Sequence, residues 1–218
     1  MLSALLVLLL GSSLLLADAP ARWNFKLIMQ RAELHYGKSA QASKRITDWQ
    51  HLLQRYADAS ELDQLKAVNQ FFNLQLRFRN DTEIWGMEDY WATPVEALYK
   101  GAADCEDYAI AKYFSLRQLG VPMDKLRITY VKALHLDQAH MVLTYYPEPS
   151  ATPLVLDNLI DAIEPASQRS DLRPVYAFNA EGLWLPGRGS GKHMGDSKRL
   201  SRWQDLLQKM RTEGFTGH

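Results

Sequence analysis

The single cysteine of the chain, Cys105, is its strongest candidate for nucleophilic chemistry. A thiol attacks a carbonyl group only as a thiolate, so its surroundings decide whether it reacts. Three acids flank it, as Asp104, Glu106 and Asp107, and a carboxylate close to a thiol raises the thiol pKa. The sequence therefore places a potential nucleophile in an unfavourable electrostatic setting. By residue type alone, a buried and inert thiol is an equal alternative.

A histidine and an aspartate later in the chain can complete a catalytic set with this thiol. His140 opens one predicted strand, and Asp157 lies near the end of the next. If the two strands pair as a hairpin, the start of one lies beside the end of the other, and these two side chains become neighbours. A thiol, an imidazole and a carboxylate that orients the imidazole form a Cys-His-Asp triad. His135 is a competing base, which we rank lower because it falls in the loop before the strand.

The acids beside Cys105 have a simple alternative role as helix caps. Asp104 is suited to the N-cap of a helix that begins at Cys105, with Asp107 three residues further on and Glu106 solvated. A zinc site is a poor alternative, because the spacing of one cysteine and scattered histidines fits no zinc ligand set. The sequence matches no HExxH or EF-hand pattern either.

The elements that must position these residues change from helical to strand periodicity along the chain. Helices are predicted at 43–57, 61–76, from a Thr93–Glu96 capping box to about 100, and from Asp104 to about 119. Strands are predicted at 126–134, 140–146, 153–159 and 175–185. Short connections favour an antiparallel meander packed on the helices, which gives an α+β fold.

The composition is that of an ordinary globular protein. Hydrophobic residues make up 47% of the 218 residues, and 25 Lys and Arg balance 25 Asp and Glu. Because no basic excess is present, nucleic acid is not an expected partner.

The two ends of the chain differ from this pattern. Residues 1–19 have an apolar run and the motif Ala17-Asp18-Ala19, which predict a cleavable signal peptide, with an uncleaved anchor as the alternative. Residues 20–218 then form one exported domain without a membrane span. Within it, 187–200 is predicted as a mobile basic loop rich in glycine, and 201–211 as a final amphipathic helix.

Three segments together resemble the transglutaminase-like cysteine proteases of bacteria, most closely the LapG-type periplasmic proteases. They are "WGMEDYWATPVEALYKGAADCEDYAIAKYFSLRQLGVP", "AHMVLTYY" and "LVLDNL". The resemblance covers roughly residues 22–185 and implies a papain-like fold. It also implies that Cys105 is the nucleophile, His140 the base and Asp157 the orienting acid. Calcium is expected beside the nucleophile, on Asp104 and Glu106, with Asp107 a further candidate.

The resemblance also implies a substrate, a regulator and a location. Proteases of this type are periplasmic and cut the N-terminal region of a large LapA-type adhesin at a pair of alanines, which releases cells from biofilm. An inner-membrane receptor of the LapD type sequesters them when cyclic di-GMP is high. Another acyl transfer on the same scaffold, such as transglutamination or amidohydrolysis, remains an alternative, as does a non-catalytic module that binds calcium or adhesin.

A calcium ion would explain the acids around the thiol. A divalent cation held by these carboxylates replaces local negative charge with positive charge. Such a change is worth about one to two units of thiol pKa. We therefore expect calcium to order the turn that carries Cys105 and to remove an electrostatic penalty.

Overall fold

Helices dominate the first half of the chain, and a large sheet dominates the second. The structure is a computed structural model that describes residues 23–186, 191–197 and 200–216, so the predicted signal peptide lies outside the described residues. Within these ranges the helices are α1 (Phe25–Tyr36), α2 (Ala40–Arg55), α3 (Glu61–Gln75), α4 (Asp81–Ile84), α5 (Pro94–Lys100), α6 (Cys105–Gln118) and α7 (Ser201–Glu213). None of these described helices is long and apolar enough to cross a membrane.

The strands confirm the predicted α+β class. A two-residue parallel pair, β1 (Arg77–Phe78) and β2 (Ala102–Ala103), lies among the helices. The large sheet contains β3 (Leu126–Ala133), β4 (Gln138–Tyr145), β5 (Leu154–Leu156), β6 (Glu164–Pro165), β7 (Leu172–Phe178), β8 (Leu183–Leu185) and β9 (Lys192–Gly195). Its strand order is β6-β5-β4-β3-β7-β8-β9, with antiparallel neighbours throughout.

Helix α6 is the central element of the core. Every residue from Glu106 to Leu116 is buried, because α3 and α5 pack on one side of the helix and β3 and β4 on another. A helix that is covered all round is held by packing on every face. Burial of side chains as large as Tyr113 and Phe114 stabilises the fold by roughly 1.5–3 kcal/mol each. The helix start that carries Cys105 is therefore firmly placed.

The sheet is not the simple meander that the short connections predict. Strands β3 to β6 follow one another, but β7 returns to pair with β3, opposite the β4 side. The predicted strand 175–185 is also two strands, β7 and β8, joined by a tight turn. Asn179 makes this turn, because its side-chain oxygen accepts the backbone N–H groups of Glu181 and Gly182. An asparagine used in this way competes with strand continuation.

The described part of the basic segment 187–200 also differs from a mobile loop. Lys192–Gly195 forms the edge strand β9, which pairs with β8 and places His193 opposite Trp184. Backbone pairing needs no hydrophobic side chains, so a glycine-rich and basic sequence conceals such a strand. Residues 187–190 and 198–199 lie outside the described ranges.

Two terminal helices close the helical side of the core. Helix α1 was not predicted, because its two buried residues, Ile28 and Ala32, give only a weak apolar pattern. Helix α7 extends two residues beyond its predicted end and buries Trp203, whose ring stacks on Phe114 with centroids 5.5 Å apart. The C-terminal helix is thus packed directly on the helix that carries the cysteine.

Candidate active site

Cys105 is the first residue of α6 and lines a cleft of about 700 Å³. The first turn of a helix favours a thiolate, because its unpaired N–H groups present positive potential. The thiol nevertheless donates a hydrogen bond to Glu106 Oε2 at 3.2 Å. Burial and the charges of Glu106 and Asp104 raise the pKa of the Cys105 thiol, and a backbone hydrogen bond from Met141 opposes this only in part. Without added positive charge, the thiol therefore stays protonated at neutral pH.

His140 and Asp157 form a buried hydrogen-bonded pair. His140 Nε2 lies 2.7 Å from Asp157 Oδ1, and the side chains are 2% and 0% exposed. The pairing of β4 with β5, in which Leu143 lies opposite Leu156, brings the start of β4 beside the residue that follows β5. Because Nε2 is bound to the carboxylate, Nδ1 remains as the ring nitrogen that can accept a proton.

The cleft brings His140 together with Cys105, since both residues line it. His135, the competing base, lies exposed in the turn between β3 and β4. Of these two histidines, His140 is therefore the one in the cleft with a hydrogen-bonded carboxylate. A thiol, an imidazole and a carboxylate in this arrangement have the chemistry for acyl transfer.

The carboxylate of Asp157 is held in its ionised form from several directions. Arg169 Nη2 donates to its Oδ2 at 2.7 Å, and the backbone N–H of Leu159 donates to its Oδ1 at 3.1 Å. Burial opposes ionisation of this group, but the bonds from His140, Leu159 and Arg169 outweigh it and hold the pKa of Asp157 at about 2. Asp171 accepts two further bonds from Arg169, which fixes the guanidinium. The carboxylate of Asp157 thus stays ionised beside the imidazole of His140.

The backbone of Asp157 is also fixed. Its carbonyl oxygen accepts hydrogen bonds from Lys112 Nζ at 3.0 Å and from Asn73 Nδ2 at 2.9 Å. Lys112 lies on α6 and Asn73 on α3, so two helices hold the position of the acid. Burial lowers the pKa of Lys112 to about 7, although the charges of Asp157 and Asp161 raise it.

The acids before and after Cys105 are not used as helix caps. Asp104 stands at the N-cap position of α6 but makes no side-chain capping bond. Asp107 Oδ1 accepts the backbone N–H of Ala92 at 2.7 Å, in the preceding loop. Asp104 Oδ1 and Asp107 Oδ2 are buried and without a hydrogen-bond partner among the described residues. Capping therefore does not account for these two side chains.

A third acid, Asp81, lies beside them. Oxygens of Asp81, Asp104 and Asp107 lie within 4.8 Å of one another, and Asp81 Oδ1 is another buried oxygen without a partner in the described structure. The pairing of β1 with β2 explains this contact, because Phe78 lies opposite Ala103 and the two chains leave side by side. Asp81 follows one strand and Asp104 the other.

Glu106 belongs to a second group with Asp81 and Asp89, whose oxygens also lie within 4.8 Å of one another. The two groups share Asp81, so the structure brings all three predicted metal ligands, Asp104, Glu106 and Asp107, to one region. Asp81 and Asp89 were not predicted as members.

Proximity of so many acids disfavours their ionised forms. Burial and the charges of Glu106 and Asp89 raise the pKa of Asp81 to about 6. Burial and the charges of Asp107, Glu106 and Asp81 raise the pKa of Asp104 to about 10. Three buried oxygens that lack partners, supplied only by carboxylates, match the ligand preference of calcium. The residues present therefore fit a calcium ion.

Sequence patterns gave no signal for several residues of this site. Asp81 begins the four-residue helix α4, which is too short to leave a periodic pattern, and Asp89 stands in the loop before α5, where acids are common and usually solvated. Arg169 and Lys112 are basic residues that a sequence pattern assigns to the surface, since such side chains are rarely buried unless paired. Only the fold shows that both bind Asp157.

Comparisons with known proteins agree with the geometry of the site, because they find similarity to cysteine proteinases. The family described as bacterial transglutaminase-like cysteine proteinase matches residues 34–173. A solved structure of LapG from Legionella pneumophila is 45% identical, with a TM-score of 0.72, and the match covers 84% of this chain and 97% of that chain. An EGTA-treated structure of the same protein is 45% identical, with a TM-score of 0.73 and the same coverage. A calcium-bound one is 44% identical, with a TM-score of 0.71, covering 84% and 98%.

These likenesses confirm the family resemblance and the fold expected from the three sequence segments. A comparison with curated proteins gives no match.

Proposed function

This chain belongs to the family of bacterial transglutaminase-like cysteine proteinases, and on that basis we propose that it is a calcium-dependent cysteine endopeptidase with Cys105, His140 and Asp157 as its triad. The observation that carries the proposal is the hydrogen bond between His140 Nε2 and Asp157 Oδ1 in the cleft that Cys105 also lines. Cys105 on α6 and His140 on β4 line the same cleft, and Asp157 supplies the carboxylate partner of the imidazole, which is the set that acyl transfer requires.

The residues act in two steps. His140 takes the Cys105 proton on Nδ1, and the thiolate attacks the carbonyl carbon of the peptide bond. As the C–N bond breaks, the imidazolium returns this proton to the leaving amine and a thioester remains on Sγ. His140 then takes a proton from water as the hydroxide adds to the thioester. When the C–S bond breaks, the imidazolium returns that proton to the departing thiolate, and the carboxylic acid product ionises in solvent. Asp157 stabilises the imidazolium in both steps, and we expect the Cys105 backbone N–H, at the start of α6, to stabilise the oxyanion.

Asp81, Asp104 and Asp107 would hold the calcium ion, with Asp89 and Glu106 beside them. Calcium supplies positive charge next to a thiol whose pKa the same acids raise. The likeness to a LapG that has been solved in a calcium-bound form supports this assignment.

We further propose the biological setting of the reaction. Membership of the family and 45% identity to LapG support a large adhesin of the LapA type as substrate, cut in its N-terminal region at paired alanines. The same likeness supports control by an inner-membrane LapD-type receptor of cyclic di-GMP, and a periplasmic location after export.

Cleavage of an adhesin N-terminal fragment tests the proposal. The full chain is incubated with the fragment, with and without EGTA, beside Cys105→Ala and a matched histidine pair, His140→Ala and His135→Ala. We expect cleavage by the wild type and by His135→Ala only, and only when calcium is present. Cleavage by Cys105→Ala would overturn the thiol mechanism. Cross-linking or deamidation of the fragment without cleavage would instead identify a transglutaminase or amidohydrolase, and calcium-dependent binding without turnover a non-catalytic module.

A further inference from the structure

Arg202, in the first turn of α7, forms an ion pair with Asp89 in the loop before α5. Its Nη2 lies 2.7 Å from Asp89 Oδ2, and the side chains are 56% and 39% exposed. Asp89 is also the acid whose carboxylate lies within 4.8 Å of those of Asp81 and Glu106. A fixed positive charge is therefore attached to one member of the group that fits a cation.

Helix α7 delivers this charge from a rigid position. Trp203, next to Arg202, is completely buried, and Leu206 and Met210 are buried on the same helix. Further along α7, Lys209 Nζ donates to the backbone oxygen of Trp91 at 2.6 Å. The helix thus holds the loop of Asp89 at two points, so the ion pair is a feature of the packed structure.

Charge determines what this pair does to a metal ion. Arginine stays protonated throughout the physiological pH range, so its charge is constant. A cation near the acid group repels calcium, and its hydrogen bond occupies an oxygen of Asp89. An exposed ion pair is nevertheless weak, so calcium can displace the guanidinium without disrupting the fold.

We propose that Arg202 is a built-in competitor for calcium, which holds the affinity of the acid group below the value that its carboxylates would otherwise give. This inference rests on the calcium site of the proposed function. In the absence of calcium Arg202 neutralises Asp89, and as calcium binds the pair opens. The C-terminal helix thereby sets the calcium concentration at which the site fills.

Calorimetric titration of the metal-free full chain with calcium tests this role. We expect Arg202→Gln and Arg202→Met to bind calcium roughly 3- to 10-fold more tightly than the wild type in low salt, because one repelling charge is removed. Arg202→Lys keeps the charge and should remain close to the wild type. Arg211→Gln is the matched control, since Arg211 lies on the same helix and its Nη2 contacts Gln208 at 2.9 Å.

A double-mutant cycle separates competition from a general charge effect. Asp89→Asn should weaken calcium binding. Arg202→Gln should raise the calcium affinity of Asp89→Asn by a smaller factor than it raises that of the wild type, because the competing pair no longer exists. In ~0.5 M KCl the increase in calcium affinity caused by Arg202→Gln should be smaller, because salt screens exposed charges.

Two results would overturn the inference in distinguishable ways. If the wild type binds calcium and Arg202→Gln binds it equally or more weakly, Arg202 is not a competitor and the proposed calcium site stands. If the wild type shows no calcium binding, the calcium part of the proposed function fails and this inference with it. Melting temperatures in EGTA establish that each variant is folded.

Discussion

Lys112 on the cysteine-bearing helix donates a hydrogen bond to the backbone oxygen of Asp157, whose side chain is hydrogen-bonded to His140. The distance from Nζ to the oxygen is 3.0 Å, and the lysine is completely buried. This bond ties the helix of the nucleophile directly to the acid on the sheet side of the cleft. Together with the bond from Asn73 on α3, this buried amine therefore sets the position of Asp157 relative to α6.

Replacement of Lys112 by Met should change the pH dependence of stability. Burial lowers the pKa of Lys112 from 10.5 to about 7 in the folded chain, so the unfolded chain binds more protons between these values and wild-type stability rises with pH across this window. Lys112→Met lacks this contribution. We expect the free energy of unfolding of the wild type, relative to the variant, to increase between pH 7 and pH 10 by at most about 1.4 kcal/mol per unit.

Urea unfolding at several pH values measures this difference, and Lys66→Met on α3 serves as the control, since that lysine is exposed. A constant difference between the wild type and Lys112→Met across the window would contradict the effect of burial. Because the bond to Asp157 is also lost, kcat should fall in the variant.

Replacement of Arg169 by Met should move the acidic limb of the activity profile. Arg169 helps to hold the pKa of Asp157 at about 2, so this carboxylate keeps its charge until the pH falls through that value. Without the guanidinium the pKa of Asp157 rises, so Asp157 becomes protonated at a higher pH than in the wild type. We expect the acidic limb of kcat/KM to shift upward by about one unit or more, and stability to fall by roughly 3–5 kcal/mol because a buried charge loses its partner.

Asp171→Asn is the matched control for Arg169→Met. It removes the half-buried partner of the same guanidinium but leaves the bond from Arg169 to Asp157. An unchanged acidic limb in Arg169→Met, with activity retained, would show that Asp157 does not depend on Arg169 for its charge.

Alkylation of Cys105 should report the charge of the acids around it. Because the chain has one cysteine, the rate of reaction with iodoacetamide measures a single thiol. After burial, Glu106 contributes most to the raised thiol pKa, through its charge and its hydrogen bond, so Glu106→Gln should react faster than the wild type in EGTA. Calcium should accelerate the wild type by about 10-fold or more, and the variant by much less.

Asp58→Asn, at an exposed acid between α2 and α3, provides the comparison for this experiment. Equal rates for the wild type with calcium and with EGTA would refute the electrostatic role of the ion, whatever the outcome of the cleavage assay.

Replacement of Glu213 by Gln should stabilise the chain in alkaline solution. Glu213 accepts hydrogen bonds from Tyr36 and Thr93, and burial and the charge of Glu96 raise its pKa from 4.5 to about 8. The folded chain therefore binds more protons than the unfolded chain between these values, and stability is lost as pH rises through the window. We expect Glu213→Gln to be equal to the wild type near pH 4.5 and more stable at pH 8.

Thermal unfolding at pH 5 and pH 8 measures this change, with the exposed Asp205→Asn on the same helix as control. A variant that is less stable than the wild type at pH 8 would show that Glu213 stabilises α7 as an anion.

Local features of the site could be predicted from the sequence, whereas contacts between distant elements could not. The start of α6 at Cys105 and the capping box of Thr93 and Glu96 depend on a few neighbouring residues, and both are present. The proximity of His140 and Asp157 required only a hairpin. By contrast, Asp81 reaches Asp104 through the two-residue pairing of β1 with β2, which is too short to leave a pattern in the sequence.

In the sheet, too, individual strands could be predicted from the sequence, whereas the pairing of distant strands could not. Strand periodicity predicts the bounds of β3 and β4 closely, because each strand is eight residues long and mostly buried. The return of β7 to the far side of β3 depends on which edge is free once β4 and β5 have paired. The periodicity of residues 175–185 therefore predicted a strand but not that it pairs with β3.

The two walls of the cleft come from different halves of the chain, since α6 carries Cys105 and the strands carry His140 with its acid. A molecule that has completed only its helical half has a thiol without a base, and an isolated sheet has a base without a thiol. Under the proposed function, a newly made chain therefore cannot cleave a peptide bond until β4 and β5 have docked on α6. Hydrolytic activity then reports that this docking is complete.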